Sequence, residues 1–286
     1  MGGDYRTLQI TKTTPRTKTD ITIPMQRDLE IGIKLKKKFE LNGTFGYRDP
    51  VSPETNNWFS RRHYLTYHIN DEVSVRAGRF YPAFGINIPE HTSVIRRGLG
   101  WDQGMESYNL EVAVLGEKHN IYLTAIAGRP DLNQLYREKG TALSYAYQIN
   151  DTSKVGASYY YGESDPITHH YVGPFAILGF TESFYLLSQF DMMRSFPYTS
   201  TEAQYGYLDY QKLGYEIFQG FHIFLTQEFL QSDIKNNITR SDIYGAGIQF
   251  FPRPHFEFQV YLQKKITALD TSNPTDILGL YIHFYL

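Results

Sequence analysis

Cysteine is absent from the 286 residues, which excludes a disulfide framework and a thiolate metal site. One-sided charge is missing too. The net charge is −2 with 20% charged residues, so no nucleic-acid partner is implied. Nowhere do 18 apolar residues run together, and the mean hydropathy is −0.41, which excludes a transmembrane helix. The opening MGGDYRTLQI has no basic segment followed by an apolar one. It reads as a mature or re-engineered start, with any export signal already removed. Tryptophan is scarce at 2, yet there are 24 Tyr and 19 Phe, more Tyr than a soluble domain of this size usually carries. A low hydropathy does not exclude a membrane, because a β-barrel strand shows lipid only at every second residue.

What is present is a period of two. Over Tyr5–Lys12, Leu8 and Ile10 fall on one face and Thr7 and Gln9 on the other. In the next run Ile21, Ile23, Met25, Leu29, Ile31, Ile33 and Leu35 all occupy odd positions, with Thr22, Gln26, Asp28, Glu30 and Lys34 between them. That is strand spacing, not the 3.6 of a helix. Similar runs continue to the C-terminal ILGLYIHFYL, although the alternation is muddier at 183–195 and 202–212.

The runs number sixteen, and their connections alternate in kind. Seven are short, near 37, 70, 117, 151, 182, 214 and 253; eight are expected to be about six residues or longer, and 81–105 is the longest. Of 13 prolines, 11 fall in these connections; Pro24 and Pro174 lie inside strands and call for a bulge or a place above the bilayer. In hydrocarbon every backbone N–H and C=O needs a protein partner, and a sheet provides that only by closing on itself. A soluble β-sandwich would show the same alternation but has no reason to alternate short and long connections. The expected fold is therefore all-β: one transmembrane antiparallel up-and-down β-barrel spanning 1–286, with about 16 strands (14 to 18).

A sixteen-stranded barrel leaves an aqueous lumen. The positions expected to face it include Glu30, Lys34, Glu40, Arg48, Arg62, Arg76, Glu111, Glu257 and Gln259. The stretch Arg79–Glu106, RFYPAFGINIPEHTSVIRRGLGWDQGME, breaks the alternation and forms the third long loop. Folding back into the lumen is a natural fate for an exposed segment of that length.

Sixteen strands, short turns and a long third loop resemble the trimeric general porins, whose third loop folds inward as the constriction. Locally, SVRAGRFYPAFGIN resembles the phosphate-selective porin family at Gly78, Arg79, Phe80, Pro82, Phe84 and Gly85. The last strand resembles the porin assembly signal, except that Leu286 stands where phenylalanine is usual. The resemblance implies a passive diffusion channel for small hydrophilic solutes in the bacterial outer membrane. It also implies surrounding lipid and lipopolysaccharide, assembly as a homotrimer, and neither cofactor nor metal.

The constriction is assigned to Glu90, His91, Arg96, Arg97 and Asp102, and the pore lining to Arg48, Arg62, Arg76 and Glu111. Region 61–97 holds Arg61, Arg62, Arg76, Arg79, Arg96 and Arg97 against Asp71, Glu72 and Glu90. Arginine rings favour anions, so an anion preference is expected. The alternative is that the arginines pair with Glu90, Asp102 and Glu106 and hold the loop to the wall. Two rival functions were weighed, an outer-membrane enzyme and a barrel that sheathes or docks a partner protein. No G-x-S-x-G or HExxH spacing supports catalysis. The pair His169–His170 is expected in a solvated loop, where such pairs seldom bind metal.

Overall fold

Alternation of this kind forces neighbouring runs to pair, and in the computed structural model they pair all the way round. Residues 2–47, 58–88, 93–100, 106–130, 138–200, 202–270 and 274–286 are described. The sixteen strands are β1 (Gly2–Thr13), β2 (Lys18–Leu35), β3 (Phe39–Tyr47), β4 (Trp58–His68), β5 (Val73–Phe80), β6 (Ser107–Leu115), β7 (His119–Gly128) and β8 (Lys139–Asn150), followed by β9 (Ser153–Ser164), β10 (Ile167–Gly179), β11 (Phe184–Pro197), β12 (Gln204–Phe218), β13 (Phe221–Gln231), β14 (Arg240–Arg253), β15 (Phe256–Thr267) and β16 (Thr275–Tyr285). Each pairs antiparallel with its sequence neighbours, and β1 pairs with β16 to close the barrel. At the seam Leu8 faces Tyr281 on one side and Ile23 on the other. No strand edge is left open, as a sheet in lipid requires.

The outer surface carries an apolar band. Leu278 and Phe284 on β16, Leu262 on β15, Leu41 and Phe45 on β3, Leu110 on β6 and Leu143 on β8 are all exposed. Their strand neighbours Glu111, Ser144, Glu257 and His283 are buried inside. A single α-helical turn, α1 (Val94–Arg97), lies within the third loop.

Besides the turn expected near 214, which lies inside β12 while the chain turns at 219–220, three expectations need correction. The apolar faces of the first two strands do not all point to lipid. Leu8 and Ile10 are buried at 2% and 7% exposure on the lumen side, together with Asp4 and Arg6 of the same parity. Thr7 and Gln9 take the outer face. Asp4 and Arg6 lie on the same face of β1 as Leu8 and Ile10, and burying that ion pair inside avoids placing charge in hydrocarbon. In β2 a bulge splits the apparently unbroken run: Arg6 pairs with Gln26 but Thr7 with Pro24, leaving Met25 as the extra residue. Leu29 and Ile33 therefore point outward, while Ile21 and Ile23 share the inner face with Leu8 and Ile10.

Two of the eight connections expected to be long are short. Residues 14–17 join β1 to β2, and 165–166 alone join β9 to β10. His169 and His170 consequently lie in β10, paired with Ser195 and Arg194, not in a loop. Polar composition suggested a loop there, but a hairpin rising beyond the bilayer meets water on both faces and needs no apolar side.

The prolines supply the third correction. Pro24 sits at the β2 bulge as expected, whereas Pro174 is paired with Ala157 without any change of register. Pro197 and Pro252 also fall inside strand limits, near their ends.

Candidate functional site

The third loop, 81–106, enters the lumen and packs against its wall. Phe84, Ile86, Ile88, Val94, Ile95 and Leu99 are all buried. They form one cluster with Ile126, Ala142, Tyr160, Tyr171, Phe175, Met193, Leu208 and Tyr210 from the inner faces of β7 through β12. An inward-facing apolar wall would be anomalous in an empty aqueous channel; here it is the seat of the loop.

Backbone amides of the loop are satisfied by wall side chains. Gly85 N–H donates to Ser158 Oγ at 2.9 Å, Ile86 N–H to Gln189 Oε1 at 2.7 Å and Val94 N–H to Glu228 Oε2 at 2.8 Å. These three acceptors lie on β9, β11 and β13, so the loop is fixed across a wide arc of the barrel. Gly85 has φ +55°, and a Cβ there would lie 2.3 Å from the Gln189 amide. Only glycine allows that approach.

The segment resembling the phosphate-selective porins has its own physical explanation. Gly78 adopts φ +140° in β5, and a Cβ would fall 2.3 Å from the His63 carbonyl oxygen. Phe80 is 1% exposed, with the Arg76 guanidinium 3.8 Å from its ring centroid. Arg79 Nε donates to the Glu106 carbonyl at 3.3 Å, and Asn109 Nδ2 to the Phe80 carbonyl at 2.6 Å. These bonds tie the two ends of the loop together. Glu106 itself is 1% exposed. Burial pushes its carboxyl above the ordinary range, against the pull of Arg61, Arg79 and Arg62.

The adjoining wall, β2 to β6, is built from ion pairs. Arg62 meets Glu30 at 2.8 Å, with side chains 39% and 43% exposed. Arg76 meets Glu111 at 2.7 Å, and the second Glu111 oxygen accepts from Thr124 Oγ1 at 2.9 Å. Arg61, supplied by a bulge in β4, meets Asp28 at 2.8 Å. Asp4 and Arg6 pair at 2.7 Å, beside His283 and Glu257.

Of the assigned constriction residues, Glu90, His91 and Asp102 lie outside the described residues, as does Arg48 of the lining. Arg97 is described only as part of α1. Arg96 bonds within the loop, its Nη1 donating to Asn87 Oδ1 and to the Ile88 carbonyl, both at 3.2 Å. Its guanidinium also lies 5.2 Å from the Tyr81 ring. Arg62, Arg76 and Glu111 share one face of the sheet.

Sequence reasoning missed the apolar seat of the loop and its three side-chain acceptors. A usable signal existed: Phe84, Ile86 and Ile88 alternate about a glycine, and Val94, Ile95 and Leu99 follow. The wall residues offered no such signal, because inward Tyr and Leu look like lipid-facing ones.

Comparison with solved structures supports the architecture over the full length. The trimer form of OmpT, an outer membrane protein of Vibrio cholerae, superposes with TM-score 0.75 at 8% identity, covering 100% of this chain and 99% of that one. The outer membrane channel DcaP of Acinetobacter baumannii gives 0.70 at 10% identity, with coverage of 100% and 96%. An anion-selective porin from Comamonas acidovorans gives 0.72 at 8%, with coverage of 100% and 98%. Identities this low show the shared fold: a closed sixteen-stranded barrel of the outer-membrane type. No family model and no curated protein matches, so the likeness to phosphate-selective porins stands on the quoted residues alone.

Proposed function

We propose that this chain is a channel of the bacterial outer membrane, passing small hydrophilic solutes by passive diffusion. The observation that carries this reading is the third loop seated inside the lumen on the β7–β12 wall, beside the ion-paired strands β2–β6, on which the Arg62–Glu30 pair is solvent-accessible. A loop fixed by three backbone-to-wall hydrogen bonds sets a lasting aperture. Lipid and lipopolysaccharide would surround the apolar band, and the likeness to a trimeric outer-membrane protein supports assembly as a homotrimer.

An anion preference belongs to the proposal in a weak form. Arg61, Arg62 and Arg76 each have an acidic partner, which cancels most of the field of an arginine ladder. The expected selectivity is modest and is carried by the loop arginines Arg96 and Arg97. Purified protein in a planar bilayer should give open conductance steps, with reversal potential under a KCl gradient reporting the sign. An Arg96→Ala/Arg97→Ala double variant should move that potential toward zero. Silence in the bilayer would reject the channel, and an unchanged potential would reject the anion preference.

A further inference from the structure

Charge is shared unevenly among the short turns, which mark the periplasmic end of an outer-membrane barrel. Four of the seven carry carboxylates: Asp71 and Glu72 between β4 and β5, Glu117 between β6 and β7, Asp151 between β8 and β9, and Glu182 between β10 and β11. The β2–β3 turn is wholly cationic. Its three residues, Lys36, Lys37 and Lys38, are exposed and have no ion-pair partner among the described residues. Lys36 has φ +57°, in the left-handed region where glycine or asparagine is the unstrained choice. The turn needs that backbone conformation but does not need a lysine to adopt it. The Lys38 carbonyl accepts the His68 N–H at 2.8 Å, which clamps the turn to β4. Next to the turn the outer face is apolar across three strands. Leu35 pairs with Phe39 and Phe39 with Tyr67, and one row further Ile33 pairs with Leu41 and Leu41 with Leu65. Leu35 is 54% exposed, Phe39 41% and Leu41 44%, and the Phe39 and Tyr67 rings lie 4.9 Å apart.

We propose that the Lys36–Lys38 turn binds the phosphate headgroup of an anionic phospholipid in the periplasmic leaflet, whose acyl chains lie on the Leu35–Phe39 face. The site takes its orientation from the outer-membrane reading above and is independent of whether the lumen conducts. Lysine stems lie along apolar surface while their ammonium groups reach the phosphate layer. Three cations at one turn select the anionic class, because a zwitterionic headgroup answers its own phosphate with its own amine. Each lysine near an anionic bilayer surface adds about fivefold to the preference. An acidic periplasmic protein is the rival occupant. The apolar rows beside the turn favour lipid, since a soluble partner gains nothing from side chains set in hydrocarbon.

The scarcity of tryptophan makes a local reporter practical. A Tyr67→Trp variant of the full chain, reconstituted in phosphatidylethanolamine vesicles, places an indole beside Phe39. Its quenching by acyl-brominated phosphatidylglycerol is compared with that by acyl-brominated phosphatidylethanolamine, after subtracting the signal of the unaltered protein. The expected result is a relative association several-fold in favour of phosphatidylglycerol, lost when Lys36→Gln, Lys37→Gln and Lys38→Gln are added together. The double change Lys37→Gln/Lys38→Gln leaves the left-handed residue untouched, and it should remove most of the preference if the triple variant fails to fold. Folding is read from the heat-dependent gel shift. Equal quenching by the two lipids, or a preference that survives both sets of changes, would overturn the site. So would a preference abolished by inorganic phosphate but not by KCl at equal ionic strength, which would mark a free-phosphate site. Bilayer recordings keep the two readings apart. Current without a lipid preference rejects this site and leaves the channel standing, whereas a lipid preference without current does the reverse.

Discussion

The two halves of the lumen wall solve different problems with the same strand geometry. From β7 to β12 the inner face mixes apolar and aromatic residues with polar ones such as Ser158 and Gln189, and the third loop covers it with Phe84, Ile86, Ile88, Val94, Ile95 and Leu99. From β2 to β6 the inner face is charged, and nearly every arginine has a carboxylate: Arg61 with Asp28, Arg62 with Glu30, Arg76 with Glu111. One half spends its inward positions on holding the constriction, the other on a wetted path. The difference shows that an inward face in a barrel of this size is not one environment. Between β7 and β12 apolar residues are kept from water by a second layer of protein, whereas Leu8, Ile10, Phe224, Tyr261 and Tyr281 bury one another in a separate inner cluster.

The contrast breaks most completely if the covered half is uncovered. A Phe84→Ala/Ile86→Ala/Ile95→Ala variant removes three buried side chains, each worth about 2–5 kcal/mol. Loss of the seat should free the loop, and single-channel conductance should rise about twofold or more with noisier open states, a magnitude set by release of the whole loop. A conductance equal to that of the unaltered protein would show that the apolar seat does not position the loop.

The charged half is sharpened by unbalancing one pair. Glu111→Gln leaves Arg76 without its carboxylate while keeping the Thr124 contact, so the lumen gains one net positive charge. Reversal potential in a KCl gradient should move toward anions by several millivolts, on the order of a fractional change in permeability ratio. Movement toward cations would contradict the placement of Arg76.

A smaller effect is expected at the junction of the halves. Gly85→Ala sets a Cβ 2.3 Å from the Gln189 amide at φ +55°. The strain should cost about 1–3 kcal/mol locally. It would show as faster proteolysis within 81–106 while the barrel keeps its thermal transition.

The smallest effect concerns pH. Glu106 has its carboxyl raised by burial, so the folded chain binds that proton more tightly than the unfolded one. The stabilising contribution is full below the ordinary value of 4.5 and is lost as pH rises through the higher folded value. Glu106→Gln should therefore raise thermal stability at neutral pH and change little near pH 4, measured by circular dichroism in detergent. A gain that is larger in acid would have the wrong sign.

Most of the barrel was legible because its constraint is local and repetitive. A period of two, turn residues and the long 81–106 interruption are consequences of backbone pairing, which each strand must satisfy wherever it sits. The sequence alone therefore bounded the strand count at about 16 (14 to 18) and determined the closure and the exceptional loop. Facing was harder. Nothing local distinguishes Leu8 and Ile10, which point inward, from Leu278 and Leu280, which point outward; the choice follows from Asp4 and Arg6 on the same face and from a one-residue bulge at Met25. The constriction was legible only as a location. Which side chains hold it depended on bringing Ser158, Gln189 and Glu228 from three separate strands within 3 Å of loop amides. Contacts between residues 73 to 134 positions apart carry no periodic signature, so the tertiary structure alone could decide them.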